Sequence, residues 1–147
     1  MTIFQDSDDE AYFKGLYKNI GGIDANKHYF DFRSPKEKRA EFGKIRDGVF
    51  EELIKRYGDK CQLKCHSDCT NSADEVDHLI PLSSNVLNKE LRNIKGINGK
   101  KTPTQSIGSN HSDNFVLACS RCNAFKKHRI PSEELLLSIK EIRASKC

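Results

Sequence analysis

The distribution of cysteines constrains this chain more than any other feature. Cys119-Ser-Arg-Cys122 is a C-x-x-C pair, and Cys61, Cys65 and Cys69 stand together well upstream. Two close groups of thiols separated by a long loop are how a tetrahedral four-thiolate zinc site is built. Such a site obliges two distant stretches of sequence to meet. A disulfide framework belongs to exported chains. The start, Met1-Thr-Ile-Phe-Gln-Asp6 followed by Asp8-Asp9-Glu10, has neither the basic nor the apolar part of a secretory leader, so the expectation is a cytoplasmic protein. A thioredoxin-like redox pair would leave the upstream thiols unexplained. Cys147 is expected to remain a free thiol.

Around that constraint the chain reads as one α+β domain. Its 147 residues match the usual prior of roughly 100–200 per domain. No apolar run approaches the roughly 20 residues that cross a bilayer. Residues 9–20 carry Tyr12, Phe13, Leu16, Tyr17 and Ile20 at helical spacing and end at Gly21-Gly22. Residues 22–33 read as a loop with a short extended piece. Ser34-Pro35-Lys36-Glu37 announces a long helix to Tyr57, with Ser34 as cap, Pro35 at the first helical position and Glu37 completing a capping box. Its stripe is Phe42, Ile45, Val49, Phe50, Leu53, Ile54 and Tyr57. A strand follows at 73–80, broken by Pro81. The stretch 83–112 reads as a long loop with a short helix at 86–94, and a second strand covers 115–118. A helix is expected at 120–129, stopped by Pro131. A last helix opens at Ser132 with Leu135, Leu136, Ile139 and Ile142 on one side.

Net charge is only +4, yet it is unevenly placed. Residues 1–35 hold four bases and six acids, whereas residues 86–130 hold nine bases and two acids, a balance of +7. A basic segment of this kind favours a polyanion, although a solvated lysine face explains the charge alone equally well.

The unusual residues fall in the same segment. Asp77-His78 ends the first strand, Asn114 precedes the second, and Asn123 follows Cys122 on the first turn of a helix. An imidazole beside a carboxylate suits a general base next to a metal ligand. A hard divalent cation prefers oxygen ligands, which Asp77 and the Asn123 carbonyl can provide. Lys126, Lys127 and Arg129 lie one turn further on, with Arg121 nearby, as candidate phosphate contacts. A solvated helix end is the competing reading for these cations.

From residue 58 to residue 129, about half of the chain, the sequence resembles the HNH endonucleases, also called ββα-metal nucleases. The likeness is carried by Gly58-Asp-Lys-Cys-Gln62, Glu75-Val-Asp-His-Leu-Ile-Pro-Leu82, Asp113-Asn-Phe-Val-Leu-Ala-Cys-Ser-Arg-Cys-Asn123 and Lys126. The resemblance implies a ββα-metal core with a structural zinc, flanked by helices from residues 1–57 and 131–147. It implies that His78 activates water and that Asp77 and Asn123 bind a catalytic Mg²⁺ or similar ion. Asn114 would then orient the loop carrying the histidine. Products would carry 5′-phosphate and 3′-hydroxyl ends. Lys60-Cys61-Gln62 and Cys69-Thr70 match the two ends of the family's first thiol pair. The resemblance therefore assigns Zn²⁺ to Cys61, Cys69, Cys119 and Cys122, with Cys65 the alternative ligand.

The reading that results is a DNA endonuclease of restriction or phage type. Its rivals are a zinc-stapled DNA-binding module without catalysis, and a nuclease acting on structured nucleic acid or RNA. One motif per chain is placed to cut one strand, so a defined double-strand break would call for a two-fold homodimer. The helices at 36–57 and 132–143 offer the candidate faces.

Overall fold

A computed structural model describes residues 4–145, so Cys147 lies outside the described residues. The first helix, α1, runs Ser7–Leu16 and is capped by Asp6, whose carboxylate accepts from the Asp8 N–H. It stops earlier than the periodicity predicts. Tyr17 is drawn out of helical geometry and buried, its hydroxyl donating to the Pro131 carbonyl at 2.8 Å. A 3-10 turn at Lys18–Ile20 follows, and Gly21 (φ 94°) reverses the chain.

Residues 22–33 are more ordered than a loop. They form α2 (Gly22–Asn26) and a 3-10 turn at Lys27–Tyr29, after which Phe30 makes an isolated antiparallel bridge with Gly108. Burial of Ile23, Asn26, Tyr29 and Phe30 holds these turns, which are too short to show a helical period. The long helix α3 spans Pro35–Tyr57 as expected, with Ser34 Oγ accepting from Lys36 N–H. The reciprocal Glu37 arm of a capping box does not form.

Strand β1 (Glu75–His78) pairs antiparallel with β4 (Phe115–Ala118), placing Asp77 opposite Val116 and His78 opposite Phe115. Between them, residues 83–112 form more than a loop: β2 (Ser83–Ser84) pairs with β3 (Gln105–Ser106), and α4 occupies Val86–Glu90. Such two-residue strands leave no alternation to read in sequence. Helix α5 (Ser120–Lys126) ends three residues early because Lys127 adopts a positive φ of 50°. Helix α6 is Glu133–Ser145.

Every residue of β4 is buried, because the β1–β4 ribbon is covered on both sides. On one side Val76, Phe115 and Leu117 pack with Leu53, Phe42, Val49 and Phe50 of α3. On the other, Val116 and Ala118 join Leu79, Ile80, Phe13, Tyr17, Leu136 and Ile139 in the larger core. The apolar sides of α3 and α6, the candidate dimer faces, are thus largely used within the chain itself. Ile45 and Leu137 are left exposed at 43% and 41%. Among the described residues, no helix is long and apolar enough to cross a membrane.

Candidate functional site

The four sulfurs of Cys61, Cys69, Cys119 and Cys122 lie within 4.8 Å of one another. The local chain explains the convergence. Gly58 (φ 86°) turns the end of α3 back toward β4, where Gln62 N–H donates to Leu117 O and Gln62 Oε1 accepts from Leu117 N–H. Cys119 caps α5, its sulfur accepting from Cys122 N–H at 3.3 Å, and Cys69 Sγ accepts from Asn71 N–H at 3.4 Å. A tetrahedron of ~2.3 Å metal–thiolate bonds has edges of about 3.8 Å, and the Cys69–Cys119 sulfurs are 3.8 Å apart. The set is therefore positioned to bind a metal ion, and four thiolates suit zinc.

Cys65 is outside this set. Its thiol donates to the Cys122 carbonyl at 3.6 Å, and burial pushes it up to about 11. Cys119 behaves oppositely. Against the cost of burial, amide donation from Cys122 and Thr70 brings it down to about 6.

The period of two along β1 separates the two residues that stand side by side in sequence. Asp77 faces α5, where Lys126 Nζ lies 3.1 Å from its Oδ2. That contact is an ion pair without an aligned hydrogen bond, so Asp77 Oδ2 is a buried acceptor left unsatisfied. Burial raises the Asp77 carboxyl above its ordinary value, and the Lys126 charge opposes the shift. Glu75, on the same face, accepts from Asn123 Nδ2 at 2.7 Å. The amide of Asn123 is thereby turned so that its Oδ1 is the atom left to act as a ligand.

His78 faces α3. Its ring meets Phe42 edge-on at 4.5 Å and Phe115 at 5.3 Å between centroids. Its Nε2 lies 2.8 Å from Asn110 Oδ1. Asn110 donates through Nδ2 to Lys38 O (2.9 Å) and Glu41 Oε1 (3.2 Å), so its Oδ1 can only accept. The proton of a neutral His78 therefore sits on Nε2, leaving Nδ1 basic. Burial pushes the imidazole down to about 4, with the Asn110 bond opposing.

Beneath this arrangement Lys38 is fully buried, and its ammonium donates to the carbonyls of Asp31 (2.6 Å), Leu82 (2.9 Å) and Gly108 (2.6 Å). Asn114 clamps the turn after His78. Its Oδ1 accepts from Ile80 N–H at 2.7 Å, while its Nδ2 donates to Ile80 O and Ser109 O. Gly108 is required there by space, since a Cβ would stand 2.1 Å from Ile80 O.

Lys126 departs from the expected phosphate contact. It is 5% exposed, and Nζ donates to His78 O at 2.9 Å besides pairing with Asp77. Arg121, Lys127 and Arg129 are exposed, with Arg129 stacked on Phe125 at 4.7 Å. Arg92, counted among the basic residues of the long loop, is held by Asp6 and Asp9 of the N-terminal region. Asn110, Glu75 and Lys38 escape sequence reasoning because their roles depend on partners brought from far along the chain. A second convergence, His28, His111 and Asp113, is internally occupied: His28 Nε2 contacts Asp113 at 3.0 Å, and His111 Nδ1 accepts from Asp113 N–H.

No protein-family model, curated protein or solved structure gives a significant match to this chain.

Proposed function

We propose that this chain is a metal-dependent endonuclease hydrolysing phosphodiester bonds in DNA, built on an HNH-type strand–strand–helix core stapled by zinc. The observation that carries the reading is Asp77 Oδ2, a buried carboxylate oxygen without an aligned donor, on the same face as an oriented Asn123 carbonyl. Lys126 supplies its counter-charge, and a divalent cation is a natural further partner for a carboxylate and an amide oxygen. A divalent ion such as Mg²⁺ held by Asp77 and Asn123 would stabilise the charge developing on the phosphate and on the departing 3′ oxygen.

The chain's own residues supply the remainder. Asp77 and His78 lie on opposite faces of β1, which pairs with β4 alone in its sheet, so a phosphodiester reaching both would have to approach from the strand's outer side. His78 is neutral at pH 7, and its Nδ1 takes the proton from water as the water attacks phosphorus. Asn110 holds the ring in the required tautomer, and Asn114 fixes the turn that follows it. Lys126 neutralises Asp77 and would yield part of that contact to the cation. Exposed Lys127, Arg129 and Arg121 would position the backbone.

One observation favours a second reading, a zinc-stapled DNA-binding module: the ammonium of Lys126 already sits on Asp77, and both are buried from bulk solvent. Supercoiled plasmid incubated with and without Mg²⁺ decides between them. Cleavage that needs the ion and falls about 10²–10⁴-fold in His78→Ala supports the nuclease. Binding without cleavage, at any divalent ion, supports the module.

A further inference from the structure

The long basic stretch contains a feature that the proposed site does not use. Residues 93–102 leave α4 and return as a compact loop with a closed neck. Ile94 N–H donates to Asn88 O at 3.0 Å, Thr102 Oγ1 donates to Ile94 O at 3.4 Å, and Asn88 Nδ2 donates to Pro103 O at 2.7 Å. Thr102 is buried. At the tip, Lys100 N–H donates to Ile97 O at 3.0 Å across Asn98 (φ 53°) and Gly99 (φ 77°). Two left-handed central residues make this the tight turn that asparagine and glycine favour. Gly96 packs beneath it, where a Cβ would stand 1.8 Å from Lys100 O. The shape of the tip is thus enforced by its backbone.

What this rigid tip presents is unusual. Ile97 is 72% exposed, the highest value among the large apolar side chains described as exposed, and Ile94 and Leu91, earlier in the same stretch, are each 38% exposed. Lys95, Lys100 and Lys101, their neighbours in sequence, are exposed too. Among the described residues these lysines are in no ion pair, and Glu90, the one acid at 86–101, lies in reach of the Tyr12 phenol on α1. The start of α4, from which this loop departs, is tied to the end of α5. Ser84 Oγ donates to His128 O at 2.6 Å, and His128 Nε2 contacts Asn85 Oδ1 at 3.1 Å, tying the two segments together. Burial holds the His128 imidazole below its ordinary value, and the charges of Lys89, Lys101, Lys127 and Arg129 lower it further.

We propose that this loop is a wedge for duplex DNA, Ile97 entering a groove and parting a base step while the neighbouring lysines neutralise the flanking phosphates. Apolar side chains on a cationic support are how proteins unstack and bend a duplex. The cations select a polyanion, and the neutral apolar tip needs a solvent-excluding surface between the charges, which stacked bases provide. This inference rests on the reading of the chain as acting on DNA.

The test uses the zinc-loaded full chain without Mg²⁺, and a duplex carrying 2-aminopurine, which brightens when unstacked. Wild type should bind and brighten the probe. Ile97→Ala should bind about tenfold more weakly, the loss of one buried aliphatic contact, with the salt slope unchanged and no brightening. The double variant Lys100→Ala with Lys101→Ala should lower the slope of log K against log salt by about 2. Because Ile97 is so exposed, its truncation leaves no cavity, and an unchanged thermal midpoint is the check. Ile97→Ala that binds and brightens like wild type, while wild type cleaves plasmid with Mg²⁺, overturns the wedge and leaves the nuclease standing. Wild type that binds no duplex overturns both. Ile97-dependent capture by phosphatidylserine vesicles, without duplex binding, reassigns the loop to a membrane surface.

Discussion

The tautomer of His78 can be tested without any assumption about activity. Asn110 Nδ2 is committed to Lys38 O and Glu41, which makes its Oδ1 an acceptor and places the His78 proton on Nε2. With the imidazole pushed down to about 4, the neutral form exceeds the charged one at pH 7 by about a thousandfold. Long-range ¹⁵N correlation on a histidine-labelled sample should therefore show a protonated Nε2 and a bare Nδ1. Asn110→Asp replaces the amide with a carboxylate beside the ring, which should raise the His78 value. It also loses the donation to Lys38 O and sets a second carboxylate near Glu41. Asn110→Ala removes one neutral hydrogen bond to the ring and a second donor to a carbonyl that α3 still serves, together about 0.5–1.5 kcal/mol. The pH dependence follows from the direction of the shift. Between about 4 and 6.5 the folded chain binds fewer protons at His78 than the unfolded one, so stability is full above 6.5 and falls as pH drops toward 4. At ~1.4 kcal/mol per unit the loss is bounded at roughly 3 kcal/mol. A wild-type spectrum with the proton on Nδ1, or an Asn110→Asp variant whose histidine titrates no higher, would refute the reasoning.

Chelation of a structural metal should unfold the centre of the chain: Cys119→Ser or Cys122→Ser should give metal-free, poorly folded protein, whereas Cys65→Ser should retain one equivalent of zinc by atomic emission and a native circular dichroism spectrum. Lys126→Ala should behave as a core variant, losing about 3 kcal/mol or more in urea melts because it leaves Asp77 buried and unpaired. Lys127→Ala and Arg129→Ala, by contrast, should leave the melt unchanged and each lower the DNA salt slope by about 0.9. Gly108→Ala should cost about 1–3 kcal/mol, since its Cβ meets backbone oxygens of Ile80 and Pro81 that cannot swing aside; an unchanged midpoint would show that this turn is loose.

Legibility in the sequence followed the length scale of each interaction. The long helix α3 and the helix α6 were readable because each repeats a period over several residues, and the strand β4 because it is a short unbroken apolar run. The thiol set was readable because its ligands come as two local groups; the choice of Cys69 over Cys65 agrees with the sulfur cluster. The short turns of residues 22–29 and the β2–β3 pair were invisible, since their stability comes from burial of single side chains and from pairing across twenty residues. Lys126 was misread for a related reason. A cation's sequence neighbours say nothing of the acid it will meet, and this one meets Asp77.

The role of the first third of the chain follows from the same geometry. Asp77 and His78 project to opposite faces of β1, so no single helix can serve both. Helix α5 attends to Asp77 through Lys126 and, through Asn123, to Glu75 beside it. His78 is left to α3, which provides the Phe42 ring and, through the Lys38 carbonyl, the anchor for Asn110. Lys38 in turn is fixed by carbonyls from three separate segments, those of Asp31, Leu82 and Gly108. The N-terminal region therefore supplies half of the environment of the imidazole. Removing it would expose His78 to solvent and free its ring, even with every residue of the thiol cluster and the β1–β4 ribbon still present.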